Sequence, residues 1–195
     1  ENWQEVIPHR ADVLVDGVDT FEDFIVFTER KGGLKQLRIS EAHGLGNVRY
    51  IQFPEPAYNV YLLANPEFKT NLLRLYYSSL ITPTTIVDID MNTGAWEVKK
   101  TTEIPSGYNQ EEYVSERIHA TAPDGARVPI SIVYKKGLAR DGKNPTLLHG
   151  YGAYGAIVDA DFVSSRFSLL DRGFVFAIGP IRGGLDMGRA WYEGG

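Results

Sequence analysis

Residues 11–100 are built of short apolar runs with period-two alternation, cut every few residues by glycine or asparagine. Successive side chains on a strand point to opposite faces, so each run can bury one face, and the turns between runs bring a partner alongside. Residues 24–29 and 34–39 flank Arg30-Lys31-Gly32-Gly33, which predicts a hairpin with a short glycine loop. Residues 84–90 and 95–100 flank Met91-Asn92-Thr93-Gly94, where Asn92 and Gly94 are expected to supply positive φ. Residues 72–79 read as another strand. Units of this kind suit a sandwich or the blades of a propeller, whose repeats run to about 40–50 residues. Only about two such units fit before residue 105, against the roughly 4–8 blades of a closed propeller.

The pattern breaks at Ile104-Pro105-Ser106-Gly107-Tyr108-Asn109, where Pro, Ser and Gly together mark a linker. The expected division is therefore 1–109 and 110–195. In the second part, residues 113–121 and 128–135 form a hairpin about Pro123-Asp124-Gly125, followed by the apolar Thr146-Leu147-Leu148. Residues 161–171 place Phe162, Ser165, Phe167, Leu169 and Leu170 near one helical side, with Asp161 as an N-terminal acid and Gly173 as the stop. Residues 174–178 then read as a buried strand. Hairpin, third strand, glycine loop, helix and fourth strand is the opening order of an α/β-hydrolase sheet. The expected fold is thus mixed: C-terminal blades of a β-propeller, then the N-terminal part of an α/β-hydrolase domain.

Composition narrows the function classes. The 195 residues contain no cysteine, so neither disulfides nor thiolate metal sites hold the chain, and the cytoplasm is the default compartment. A net charge of −5 argues against a nucleic-acid partner, which needs a clustered basic face. No apolar run approaches the ~18–20 residues of a membrane helix; Phe174-Val175-Phe176-Ala177-Ile178 is closed at once by Gly179-Pro180. A start at Glu1 and an end at Gly194-Gly195 lead us to expect a chain cut at both ends.

Gly150, Gly152 and Gly155 have the Gly-x-Gly-x-x-Gly spacing after a strand, but a dinucleotide site also wants an acid about 20 residues on, at the end of the next strand. Asp171 falls before that strand, so no cofactor is expected, and no metal site either. His9, His43, His119 and His149 are isolated and read as ordinary hydrogen-bonding histidines; Asp159, Asp161 and Asp171 read as helix caps or solvated surface. Acyl transfer through a tetrahedral intermediate requires donors aimed at the new oxyanion, one of them from the loop after the third strand of a hydrolase sheet. Tyr151 stands in that loop, and by itself reads either as such a donor or as a ring packed at a glycine turn. The nucleophile elbow Gly-x-Ser-x-Gly is absent from the chain.

Several motifs in order carry a resemblance: Pro8-His9-Arg10, Asn65-Pro66-Glu67-Phe68, Tyr77-Ser78-Ser79-Leu80-Ile81-Thr82-Pro83, residues 115–125 and 128–135, Gly150-Tyr151-Gly152-Ala153-Tyr154-Gly155, Asp159-Ala160-Asp161-Phe162, residues 169–173, and Arg182-Gly183-Gly184. Together they resemble the prolyl oligopeptidase family of serine peptidases, within it most closely the oligopeptidase B branch. The resemblance implies a propeller cap over an α/β-hydrolase domain that cleaves short peptides after Arg or Lys with a Ser, Asp and His triad. All three triad members would lie beyond Gly195, so the chain alone would be inactive. It further implies that the Tyr151 hydroxyl is an oxyanion-hole donor, that Tyr154 lines the substrate pocket, and that Arg182 orients substrate or, as a buried arginine, locks the loop. The chain departs from the family pattern at Arg182-Gly183-Gly184-Leu185-Asp186, where Arg-Gly-Gly-Gly-Glu or Arg-Gly-Gly-Ser-Glu is usual, and at His149, where tyrosine is common. Two other readings remain: a non-catalytic propeller-containing interaction protein, and an esterase or exopeptidase relative. Short peptides are the expected partners, with self-association of the isolated chain through an apolar edge at residues 174–178.

Overall fold

The computed structural model describes residues 5–195, which form three successive four-stranded sheets. The first contains β1 (Val13–Thr20), β2 (Phe24–Lys31), β3 (Leu34–Glu41) and β4 (Arg49–Tyr50); the second contains β5 (Tyr58–Leu62), β6 (Leu72–Ser79), β7 (Thr85–Asp90) and β8 (Trp96–Thr101). Both are antiparallel meanders with strands in chain order. The third contains β9 (Tyr113–Thr121), β10 (Arg127–Lys135), β11 (Thr146–His149) and β12 (Val175–Ile178) in the order β11-β12-β10-β9.

The β2–β3 hairpin is tighter than the sequence suggests. Lys31 pairs with Leu34, leaving Gly32 and Gly33 at φ +56° and +79° as the whole loop. Two positive-φ residues match the twist of the flanking strands, as in a type I′ turn. Arg30 and Lys31 are therefore strand residues, and Arg30 is buried at 2% exposure. In the β7–β8 turn only Gly94 has positive φ (+77°). Asn92 needs none, because Asp90 Oδ1 accepts the amides of Asn92 and Thr93 at 2.9 and 2.8 Å and shapes the turn itself.

Val26, Leu37 and Ile39 of the first sheet and Val60, Leu73, Leu75, Val87 and Ile89 of the second share one buried core. An aromatic group closes it: Phe53 stacks on Tyr77 at 5.7 Å, and Trp96 meets Tyr77 edge-on at 5.4 Å. Such pairs add to the burial of their large rings.

In the third sheet β9 and β10 form the expected hairpin, β10 runs antiparallel to β12, and β11 lies parallel to β12. The expected helix over 161–171 shrinks to a 3-10 turn, Ser164–Arg166, and one α-turn, α1 (Phe167–Leu170). Residues 161–163 are held out of a helix because the Asp161 carboxylate accepts from Asn59 and Tyr76, and the Phe162 amide donates to Ser78 Oγ at 3.0 Å. Val163, β-branched and extended at φ −135°, adds no helix preference. Gly173 does end the turn, at φ +84°. The apolar open edge is also not where expected: β12 is interior, and of the two edge strands, β11 and β9, it is β11 that exposes Leu147 and Leu148. A core of Val133, Phe167, Leu170 and Ile178 is completed by Ala57 and Leu80 from the second sheet region. No helix among the described residues is long and apolar enough to cross a membrane.

Candidate functional site

Strands β11 and β12 run parallel side by side, so the loops that leave their carboxyl ends start together. In open sheets this is where ligands bind. The loop after β11 holds Gly150–Gly155 and the loop after β12 holds Ile181–Gly184. The two interlock: Gly179 N–H donates to His149 O at 3.0 Å and Gly155 N–H to Gly183 O at 2.8 Å. Any side chain at Gly152 would strike the Ile181 carbonyl and come within 2.8 Å of Arg182 O, and Gly183, at φ +91°, lies with its own Cβ direction against Gly152 O. These two glycines are demanded by close backbone approach rather than by a phosphate ligand.

Tyr151, Tyr154 and Arg182, all expected at the site, line one open concavity of about 600 Å³ together with Ile181 and Tyr192. Tyr151 is half exposed (48%) and stands in the chain between Gly150 and Gly152. Tyr154 is 95% exposed and sits at φ +58°, followed by Gly155 at +70°, in a turn closed by Ala156 N–H to Ala153 O at 3.0 Å. A bulky residue in left-handed backbone is costly, and such strain concentrates at functional sites. Arg182 is not buried as the sequence reading has it. About a third of its side chain is exposed; it pairs with Asp124 in the β9–β10 turn and lies over the Trp191 ring at 5.0 Å, on α2 (Arg189–Glu193). Guanidinium stacking on indole satisfies the arginine without removing it from water. The four histidines are all exposed. Among the described residues no group of three or more His, Asp or Glu side chains is placed to hold a metal ion.

Of the three aspartates read as caps or surface groups, Asp171 is an exposed surface group, while Asp159 and Asp161 are half-buried and bind residues of the first two sheets. Asp159 is gripped by Arg30 and approached by Lys35 at 3.4 Å; Asp161 accepts from Asn59 and Tyr76; Asp171 accepts from Tyr113 and Lys135, both at 2.8 Å. The Lys135 ammonium, seconded by the Tyr113 hydroxyl, holds the Asp171 carboxyl below its ordinary pKa. Asp186, at 3% exposure, follows the Ile181–Gly184 loop in the chain; its Oδ1 accepts the Val158 amide at 3.3 Å, and Oδ2 has no hydrogen-bond partner among the described residues. Burial pushes the Asp186 carboxyl above the usual range. Sequence reasoning missed Arg30, Asn59 and the structural part of Asp186, because their partners are far away in the chain and no local spacing marks them.

Comparison with known proteins identifies the family. The family described as prolyl oligopeptidase, N-terminal beta-propeller domain, matches residues 1–102. The chain is 44% identical over its full length to dipeptidyl aminopeptidase BI of Pseudoxanthomonas mexicana, and 32% identical over 97% of its length to protease 2 of Moraxella lacunata. Oligopeptidase B from Trypanosoma brucei, with covalently bound antipain in the closed form, superposes with a TM-score of 0.87 at 37% identity over 97% of the chain. The chain spans 27% of the length of those two curated relatives and 28% of that solved chain. With a family match over more than half its residues and two blade-like meanders sharing a core, the chain belongs to the prolyl oligopeptidase family and carries part of that family's β-propeller.

Proposed function

We propose that the protein containing this chain is a serine peptidase of short peptides, in which residues 1–109 end the propeller and residues 110–195 open an α/β-hydrolase domain. The observation that carries this reading is the position of Tyr151: half exposed, at the carboxyl end of parallel strand β11, on a loop fixed by glycine contacts with its neighbour. A hydroxyl held there is preorganised to donate to the oxyanion of a tetrahedral intermediate, which stabilises charge as it develops rather than the ground-state carbonyl. The serine of the triad comes from outside these residues, since no Gly-x-Ser-x-Gly occurs among them, and the family resemblance implies the same for its aspartate and histidine. Tyr154 and Arg182 form the wall of the substrate concavity. Histidine acts as general base on the serine, and acylation precedes hydrolysis.

Cleavage after Arg or Lys is the first reading of specificity, supported by the likeness to oligopeptidase B. Removal of dipeptides from a free amino terminus is the second, favoured by 44% identity to a protein named dipeptidyl aminopeptidase. Steady-state hydrolysis by the full-length protein of an N-blocked arginyl amide and of a free-amino dipeptidyl amide separates them. The first reading expects turnover of the blocked substrate; turnover of the free-amino substrate alone supports the second. No turnover of either, with no labelling by a serine-directed phosphonate, supports a non-catalytic interaction protein.

A further inference from the structure

Past Gly155 the chain leaves the Tyr151 loop and runs onto the two blades. Arg30 of β2 donates from Nη1 to Asp159 Oδ1 at 2.9 Å and from Nη2 to Asp159 Oδ2 at 3.2 Å, with Lys35 of β3 adding its ammonium at 3.4 Å. Two residues on, Asp161 accepts from Asn59 Nδ2 at 2.9 Å and from Tyr76 Oη at 3.0 Å, and the Phe162 amide donates to Ser78 Oγ. The first sheet and the second each hold one carboxylate of the same short segment. The loop's other end is fixed by the pairing of β11 with β12. Between these ends the Val158 amide donates to Asp186 Oδ1 at 3.3 Å, linking the segment to the chain just after the Ile181–Gly184 loop.

A forked guanidinium–carboxylate pair fixes angle as well as distance. Because Arg30 is buried, loss of the Asp159 carboxylate would leave its charge without the forked partner, so the fork holds the segment to the first sheet. We infer that Arg30 and Asp159 are positioning residues for Tyr151: the orientation of the oxyanion loop depends on the propeller being docked against it. This rests on the role proposed for Tyr151 above. The plain alternative is that the pair only stabilises the interface.

A double-mutant cycle in the full-length protein separates these. Replacing both partners by apolar residues, Arg30→Met with Asp159→Leu, removes the fork without leaving the buried guanidinium unpaired, and Lys35 keeps its hydrogen bond to Asn59 Oδ1 at 3.2 Å. The expected result is a kcat about 10-fold lower or more with unchanged KM, since small displacements of a catalytic group cost this much. In a Tyr151→Phe background the same pair should change kcat by less than about 2-fold, because the hydroxyl it positions is gone. Backbone amides of residues 152–156 should exchange faster in the pair variant while those of β2 and β3 stay protected. Should the apolar pair lower the Tm, Arg30→Lys carries the same cycle, keeping the charge but not the fork. Equal kcat losses in both backgrounds, no loss in either, or unchanged exchange at the loop would overturn the inference alone. A Tyr151→Phe enzyme with wild-type kcat overturns the role of Tyr151, and this inference with it.

Discussion

Arg30 and Asp159, 129 residues apart in the chain, meet fork to fork, with Nη1 on Oδ1 at 2.9 Å and Nη2 on Oδ2 at 3.2 Å. The arginine is buried while its partner keeps some contact with water, so the pair is asymmetric: losing the carboxylate is worse than losing the cation. Asp16 stands 3.8 Å from Arg30 Nε and compensates in part.

Asp159→Ala should therefore destabilise the docked blades by about 3 kcal/mol, the low end for breaking a buried pair. Differential scanning calorimetry of the full-length protein should show a lower Tm. A wild-type Tm would mean that Asp16 alone satisfies the guanidinium.

The pH dependence of stability carries the signature of Asp186. Burial is the dominant influence on its carboxyl, ahead of the opposing Val158 amide and Arg30, so the folded state holds the proton more tightly than the unfolded chain. Above the ordinary Asp pKa of about 3.9 the unfolded chain releases its proton while the folded protein retains it. The stability contributed by this group is present below that value and is lost as pH rises through the raised folded pKa. Asp186→Asn stays neutral, so the Tm of wild type minus that of the variant should decline as pH rises from about 4 towards neutrality. A difference that is flat with pH contradicts the account.

Tyr154 pays for its place with left-handed backbone at φ +58°. Tyr154→Gly should stabilise the protein by about 1 kcal/mol by relieving that strain. If the exposed ring is part of the substrate wall, KM for a peptide amide should rise at the same time. A variant that is more stable and has unchanged KM removes Tyr154 from the site.

Much of the fold is legible where the signal is local. Gly32-Gly33, Gly94 and Pro123-Asp124-Gly125 mark their hairpins because turn geometry is decided by neighbouring residues, and the glycine run after Thr146-Leu147-Leu148 marks the site loop for the same reason. What escapes is decided at a distance. Arg30 beside Gly32-Gly33 reads as a turn residue until Asp159 arrives to bury it, and Asp161 before Phe162 reads as a helix cap until Asn59 and Tyr76 take its oxygens. The position of the apolar edge is hidden for the same reason, because sheet order, β11-β12-β10-β9, is not sequence order.

That edge leads us to expect self-association of the isolated chain. β11 offers unpaired backbone groups beside exposed Leu147 and Leu148, a template for another strand. The 195-residue chain expressed alone should sediment as dimers or larger species that dissociate on dilution, and Leu148→Lys should shift it towards monomer. A stable monomer at high concentration would show that the edge is protected.

The central claim is that the Tyr151 hydroxyl serves the transition state, and Tyr151→Phe in the full-length protein tests it most directly, because only one oxygen is removed and the ring stays. On an arginyl amide substrate, or a dipeptidyl amide if that is what the protein cleaves, kcat should fall by roughly 10²-fold with KM little changed, since the donor acts on the oxyanion and not on the bound carbonyl. A variant with wild-type kcat and an unaltered Tm would contradict the claim and leave Tyr151 as a ring packed at a glycine turn.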